Sequence, residues 1–445
     1  MSHIVIIGNG ISGITAARHI RKKSNDQITV ISGETDHFFS RTALMYIYMG
    51  HMKYEHTKPY EDHFWAKNKI ALVREWVKTI DFEQKELTCE NQTVTYDQLI
   101  LALGSTPNFF GWPGQNLAGV QGLYSFQDLE SMEIQTKDIK HAVVVGGGLI
   151  GIEMAEMLHS RGIHVTYLVR EPHFWSIVLP EGEAKLIDRH IIAQGIDLRL
   201  STELDVINDD GNGRVKSIRT KSGEEIKADF VGLTVGVSPN IKWLKETELE
   251  TDRGILVDEF LKTNQKDVYA IGDCVQVRSP QPDRRPIETV WYTGRIMGET
   301  VAGTLTGTPK SYQPGIWFNS AKFFDIEYQT YGYVTPDPPP GQTHFYWESD
   351  KGDKCIRIAY RIENQAVIGI NTFGIRMRHE VWERWIAEEK TLRYVIEHLN
   401  KANFDPEFCT LYEPQIQKTF NGTFTEMQVP LTKLSFFQKI FSGSK

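Results

Sequence analysis

The sequence predicts an α/β protein: two Rossmann-like three-layer dinucleotide-binding domains followed by a C-terminal α+β domain. Three observations carry this. Ile4-Val5-Ile6-Ile7 runs directly into Gly8-x-Gly10-x-x-Gly13. Ala142-Val143-Val144-Val145 runs in the same way into Gly146-x-Gly148-x-x-Gly151. Two later stretches, 99–107 and 233–240, resemble each other, each an apolar run entering glycine and proline. They stand at equivalent distances after the two glycine turns, so the chain contains an internal duplication.

In the first unit the apolar run reads as a buried parallel strand. Ile14, Ala17 and Ile20 then give helical spacing, and Gln27-Ile28-Thr29-Val30-Ile31 reads as the next strand. This is the βαβ context that a dinucleotide fingerprint requires. Gly8 allows the tight turn, Gly10 lets a pyrophosphate approach the backbone, and Gly13 lets helix and strand pack closely. The helix N-terminus at Ile11 and Ser12 offers free N–H groups and a positive dipole end. An acidic side chain past the second strand would bond ribose hydroxyls. Glu34 is the candidate, with the register open by one residue because Gly33 stands just before it.

The second unit repeats every part. After its glycine turn, Leu149 and Ile150 open a helix whose apolar positions are Ile152, Ala155, Met157 and Leu158. Residues 164–169 supply the next strand. Two nucleotide sites in one chain imply electron traffic between two cofactors, a resident flavin and a visiting nicotinamide.

The bulk properties narrow the class. The chain has 445 residues, enough for two or three domains. Its net charge of −8 argues against non-specific nucleic-acid binding. The start, MSHIVIIGNG, reads as a strand and not as a signal peptide. No apolar run is long enough to span a bilayer. Cys89, Cys274, Cys355 and Cys409 lie far apart, which suggests a reducing, cytoplasmic setting without a disulfide framework. No cysteine or histidine spacing points to a metal.

With the short strand Val268-Tyr269-Ala270-Ile271-Gly272-Asp273, these motifs resemble the FAD- and NAD(P)H-dependent pyridine nucleotide-disulfide oxidoreductase family. The likeness extends over roughly residues 4–374. It implies that the N-terminal turn binds FAD and the internal one NAD(P)H. Asp273 would bond the ribityl chain, and Ala102, Gly104 and Gly236 would belong to the cofactor-binding positions. Implied domains are 1–110 with 245–310 for FAD, 111–244 for NAD(P)H, and 311–445 as a C-terminal α+β interface domain. In relatives that last domain covers the flavin and often forms a dimer interface, which leaves a homodimer open.

Disulfide-reducing members carry a redox cysteine, either in CxxxxC or shortly after the first acidic strand end. The corresponding window, HFFSRTALMY at 37–46, has none. It resembles the Tyr/Phe-x-Arg-Pro segment of ferredoxin and rubredoxin reductases, NADH-dependent nitrite reductase and apoptosis-inducing factor, with Thr42 replacing the proline. There the arginine sits beside the flavin and its phosphates, which makes Arg41 a candidate; the alternative is a surface cation. Electrons must then leave the flavin directly. Cys274, next to Asp273, reads as a small buried hydrophobe more readily than as a reactive thiol.

Glu153 resembles the family's helix glutamate facing the nicotinamide, against the alternative of a solvated helix residue. Trp291 matches a place where relatives put a residue near the flavin ring; packing is the competing role. After the second unit's last strand come Arg170 and Glu171. An arginine attracts a 2′-phosphate and an acid bonds a 2′-hydroxyl. The stretch offers both, and the reading leans to NADH over NADPH.

The leading expectation is an FAD-dependent NAD(P)H oxidoreductase passing electrons to a separate redox protein of ferredoxin or rubredoxin kind, or to a small acceptor. One alternative is a membrane-surface NADH:quinone oxidoreductase, because the tail at 431–441 is apolar and basic and could lie on the inner face of a membrane. Another is a redox-sensing flavoprotein scaffold.

Overall fold

The computed structural model describes residues 2–405 and 410–432. The chain divides into two compact units: Met1–Leu168 with Thr202–Pro314, and Val169–Ser201 with Gly315–Lys445.

The first unit opens with β1 (His3–Ile7), α1 (Ile11–Arg21), β2 (Gln27–Ile31), β3 (Ile70–Val73) and β4 (Gln98–Leu101), and β5 (Ser105–Pro107) leads out of it. The pattern then repeats with β6 (Val120–Gln121), β7 (His141–Val145), α2 (Leu149–Ser160), β8 (His164–Leu168) and β9 (Phe230–Leu233), followed by β10 (Val237–Pro239). The first unit closes with β11 (Val268–Ala270) and α3 (Trp291–Leu305).

The first sheet runs β11-β4-β1-β2-β3, all parallel. In the second, β8, β7, β9 and β6 are neighbours in that order, also parallel. Parallel strands covered on both faces demand continuous apolar runs. Accordingly Ile4, Val5 and Ile6, like Val143 and Val144, are fully buried. The helix α3 packs along α1, and Gly298 permits it: a Cβ there would sit 2.6 Å from the Ser12 carbonyl oxygen.

The duplicated stretches meet. Strands β5 and β10 pair antiparallel, with Thr106 opposite Ser238. Two further bonds extend the ribbon symmetrically: Asn108 N–H donates to Gly236 O, and Asn240 N–H to Gly104 O, each at 3.0 Å.

The second unit is built on a five-stranded antiparallel sheet. Its alternating stretches form the paired strands Cys355–Arg361 and Val367–Phe373. Trp382 and Trp385, on the helix His379–Ala387, are buried in its core. The helix Glu181–Ala193 belongs to this unit and places Glu183, fully buried, 2.7 Å from Arg357. Of the apolar, basic tail only Leu431 and Thr432 are described, Thr432 N–H donating to Gln417 Oε1 at 2.6 Å. The rest of the tail, and Cys409, lie outside the described residues. Among the described residues no helix is long and apolar enough to cross a membrane.

Candidate functional site: two matching nucleotide cradles

The two glycine turns share the same close contacts, glycine for glycine, at the first and third positions. Gly8 (φ 111°) and Gly146 (φ 120°) both adopt a backbone that L side chains avoid. Their N–H groups donate to the ends of β2 and β8, at Ile31 O (2.8 Å) and Leu168 O (3.0 Å). A Cβ on Gly8 would lie 2.1 Å from Ala102 O, and one on Gly146 2.5 Å from Thr234 O. Gly13 and Gly151 press on the first glycine's own carbonyl, at 2.1 and 2.2 Å for an added Cβ. The middle glycines differ in kind. Gly10 and Gly148 cap α1 and α2 in extended conformation, and a Cβ on either would meet nothing within 4 Å. The space over each helix N-terminus is therefore open, and the first N–H groups at Ile11, Ser12, Leu149 and Ile150 begin helices whose amides lack intrahelical acceptors. These cradles fit a pyrophosphate.

Around the first cradle the structure brings Glu34, Arg41 and Asp273 together through a residue that the motifs do not reveal, Tyr124. Arg41 grips Glu34 with two prongs, at 2.7 and 2.6 Å, and donates to Tyr124 O at 2.7 Å. Its guanidinium also lies 4.6 Å from the Tyr124 ring centroid. Phe126 N–H gives Glu34 a third hydrogen bond, 2.9 Å. A carboxylate accepts about four, so one acceptor position is left open. The Tyr124 hydroxyl donates to Asp273 (3.2 Å) and accepts from Ser105 N–H (3.0 Å). Burial pushes the Asp273 carboxyl above its ordinary range, against the opposing pull of Tyr124 and Arg41. Gly104 is close enough to this hydroxyl that a Cβ would stand 2.9 Å from it. Gly272, just before Asp273, abuts Ser12 in the first turn of α1.

Trp291 begins α3, and its ring meets Tyr292 edge-on at 5.4 Å; it takes no part in the Arg41–Tyr124–Asp273 hydrogen bonds. Cys274 is fully buried and its thiol is pushed up to about 12 by that burial. Cys89 and Cys355 are also free and buried.

At the second cradle Tyr167 hydroxyl donates to Gly146 O at 2.9 Å and Thr234 Oγ1 to Val145 O at 2.9 Å, which fixes the turn. Gly236 (φ 91°) follows at the ribbon. One turn into α2, burial and the neighbouring Glu156 push the Glu153 carboxyl up to about 7. Such a group is poised between charge states at neutral pH. Arg170 and Glu171 lie in the second compact unit, bonded to each other at 2.8 Å. Glu171 O accepts from Ser201 N–H there.

The pattern missed three cradle residues beside Tyr124: Asn9, Thr234 and Tyr167. Asn9 had a signal, as the residue between two fingerprint glycines. It is buried, donates to Thr35 O (2.8 Å) and accepts from Ser32 Oγ (3.0 Å).

Residues 2–297 match the profile of the family described as pyridine nucleotide-disulphide oxidoreductase. Nitrite reductase [NAD(P)H] of Bacillus subtilis (strain 168) is 30% identical over 279 residues, 62% of this chain and 34% of that protein. The chain thus spans about a third of that relative's length. Rubredoxin-NAD(+) reductase of Ectopseudomonas oleovorans is 28% identical over 322 residues, 71% of this chain and 83% of the relative. Among solved structures, the ferredoxin reductase for the CYP199A2 system from Rhodopseudomonas palustris superposes with a TM-score of 0.76. It covers 84% of this chain and 91% of its own, at 23% identity, which speaks for the fold alone.

Proposed function

The chain belongs to the pyridine nucleotide-disulphide oxidoreductase family, and we propose that it is an FAD-dependent NAD(P)H reductase handing electrons to a separate redox carrier of rubredoxin or ferredoxin class. The observation that carries this is the pair of matching cradles in one compact unit, combined with the burial of every cysteine among the described residues. A relative named for rubredoxin supports a carrier outside the chain.

Bound FAD and NAD(P)H supply the hydride chemistry. The protein's part is to bind, orient and exclude water. In this reading the amides of α1 and α2 hold the two pyrophosphates, Glu34 a ribose, and Asp273 the ribityl chain. Arg41, already neutralised in part by Glu34, offers its remaining positive field to a flavin that gains charge on reduction. Glu153 borders the nicotinamide and Trp291 the flavin ring. Glu171, with Arg170 turned onto it, favours NADH. We assign residues 1–110 and 245–310 to FAD, 111–244 to NAD(P)H, and 311–445 to a C-terminal interface domain.

An anaerobic NADH titration followed by visible absorbance tests the core of this. Bleaching of a bound flavin at stoichiometric NADH, then rapid reduction of added rubredoxin or ferredoxin, is expected. A protein that holds no flavin, or a flavin NADH cannot bleach, overturns it. Rates that rise only with a quinone in liposomes, and fall on truncation after Val429, would move the acceptor to a membrane.

A further inference from the structure

We propose that Trp76 is the platform on which the adenine ring of FAD lies, and that it makes the first cradle selective for FAD over FMN. The inference rests on the first cradle being the FAD site. The sheet order fixes the direction of the ligand. The phosphate turn follows β1, and Asp273 follows β11 on one side of it. The adenosine half must then run the other way along the carboxyl edge, past β2 toward β3. Two features stand there. Glu34 comes three residues after the end of β2, and Trp76 three residues after the end of β3.

Trp76 is 48% exposed, unusual for so large an apolar ring. One face is nevertheless supported. It rests on Gly33, where a Cβ would come within 2.2 Å of Cδ2, 2.3 Å of Cε2 and 2.5 Å of Cγ. Only glycine lets the indole lie on the backbone there. The residue is also held without being covered. Its carbonyl accepts from Glu90 N–H at 3.1 Å, and Ser32 N–H donates to Val73 O at 3.0 Å, tying the two strand ends together. Ser32 in turn bonds Asn9, inside the phosphate turn. Phosphate turn, ribose carboxylate and indole thus form one braced row, and the cost of ordering it is met in folding. A braced, half-exposed indole beside a ribose-binding carboxylate suits a flat heteroaromatic base, which stacks well on such rings.

The adenosine half is what FAD has and FMN lacks, so the test compares the two on full-length protein. Flavin release on dilution is followed by its fluorescence in the parent, Trp76→Ala and Trp76→Phe, each loaded with FAD or with FMN. Trp76→Ala should weaken FAD about tenfold, with Trp76→Phe close to the parent and FMN unchanged in all three. Equal FAD affinity in Trp76→Ala overturns the proposal; so does an equal loss of FAD and FMN, which would mark Trp76 as a mere surface clamp on Gly33. A parent that retains no flavin at all would sink the site reading itself, and the proposal with it.

Discussion

Two glycines two residues apart should respond in opposite ways to the same methyl group. Gly146 has φ 120°, and an added Cβ would lie 2.5 Å from Thr234 O and 2.7 Å from Thr234 C. Both are backbone atoms of a buried strand exit, so nothing can swing aside. Backbone strain of this kind costs about 1–3 kcal/mol, and with the clash Gly146→Ala should lose about 2–4 kcal/mol. Gly148 has φ −120° and open space around its Cβ direction. Relieved of glycine's unfolded-state entropy, Gly148→Ala should gain about 0.4–1 kcal/mol. Yet its methyl projects where the pyrophosphate must approach, and NADH binding should weaken about tenfold, roughly 1.4 kcal/mol. Thermal unfolding reads the first effect. The NADH dependence of flavin reduction in anaerobic stopped flow reads the second. Equal melting losses in both variants, or an unchanged NADH dependence in Gly148→Ala, would refute the assignment of α2's N-terminus as a phosphate site.

Three further outcomes follow from the same geometry. The Glu153 carboxyl titrates near 7 when folded and near 4.5 when unfolded, so the folded state holds the proton more tightly and stability falls as pH rises between those values. Glu153→Gln should therefore melt above the parent at about pH 8 and level with it at about pH 4; a constant difference would deny the buried acid. Arg41→Ala strips Glu34 of two of its three hydrogen bonds, and should cost about 2 kcal/mol and slow flavin reduction. Arg41→Lys, unable to grip with two prongs, should fall between, and unchanged stopped-flow rates would remove Arg41 from the site. Cys274→Ala should leave NADH-driven reduction intact, since the thiol is buried and protonated; lost activity in a well-folded variant would reinstate a thiol step.

The sequence made the local parts of this protein legible. The strand at Gln27–Ile31 has the expected bounds, because an apolar run ending at a turn is a short-range signal. The strand expected over 164–169 stops at Leu168, where its partner strand also ends, Val145 being paired with Leu168. Glu34, Arg41 and Asp273 could each be singled out, but not their linkage, which passes through Tyr124, a residue in no motif. Nor could the company kept by the helix Glu181–Ala193 be read. Glu183 sits on its buried face with no local partner, and the arginine that neutralises it is 174 positions away. Carboxylates among apolar positions, Glu183 and Asp188, were the available sign that the helix buries this face against charged partners.

The pairing of β5 with β10 says what the duplication achieves. The two strands belong to equivalent stretches, Gly104-Ser105-Thr106-Pro107-Asn108 and Gly236-Val237-Ser238-Pro239-Asn240. They pair antiparallel, and their outer bonds are reciprocal, Asn108 to Gly236 and Asn240 to Gly104. Equivalent segments paired this way are related by a local twofold axis, the geometry of a self-complementary contact. Each strand also leaves directly from its own cradle. Ala102, which crowds Gly8, is three residues before β5, and Thr234, which crowds Gly146, is three residues before β10. At about 3.3 Å per residue, both glycine turns lie within roughly 10 Å of chain from the same ribbon. A duplicated nucleotide-binding unit could have been joined by any linker. Joined here through its strand exits, it brings both glycine-turn edges to one place, which is what the proposed exchange of a hydride between two cofactors requires.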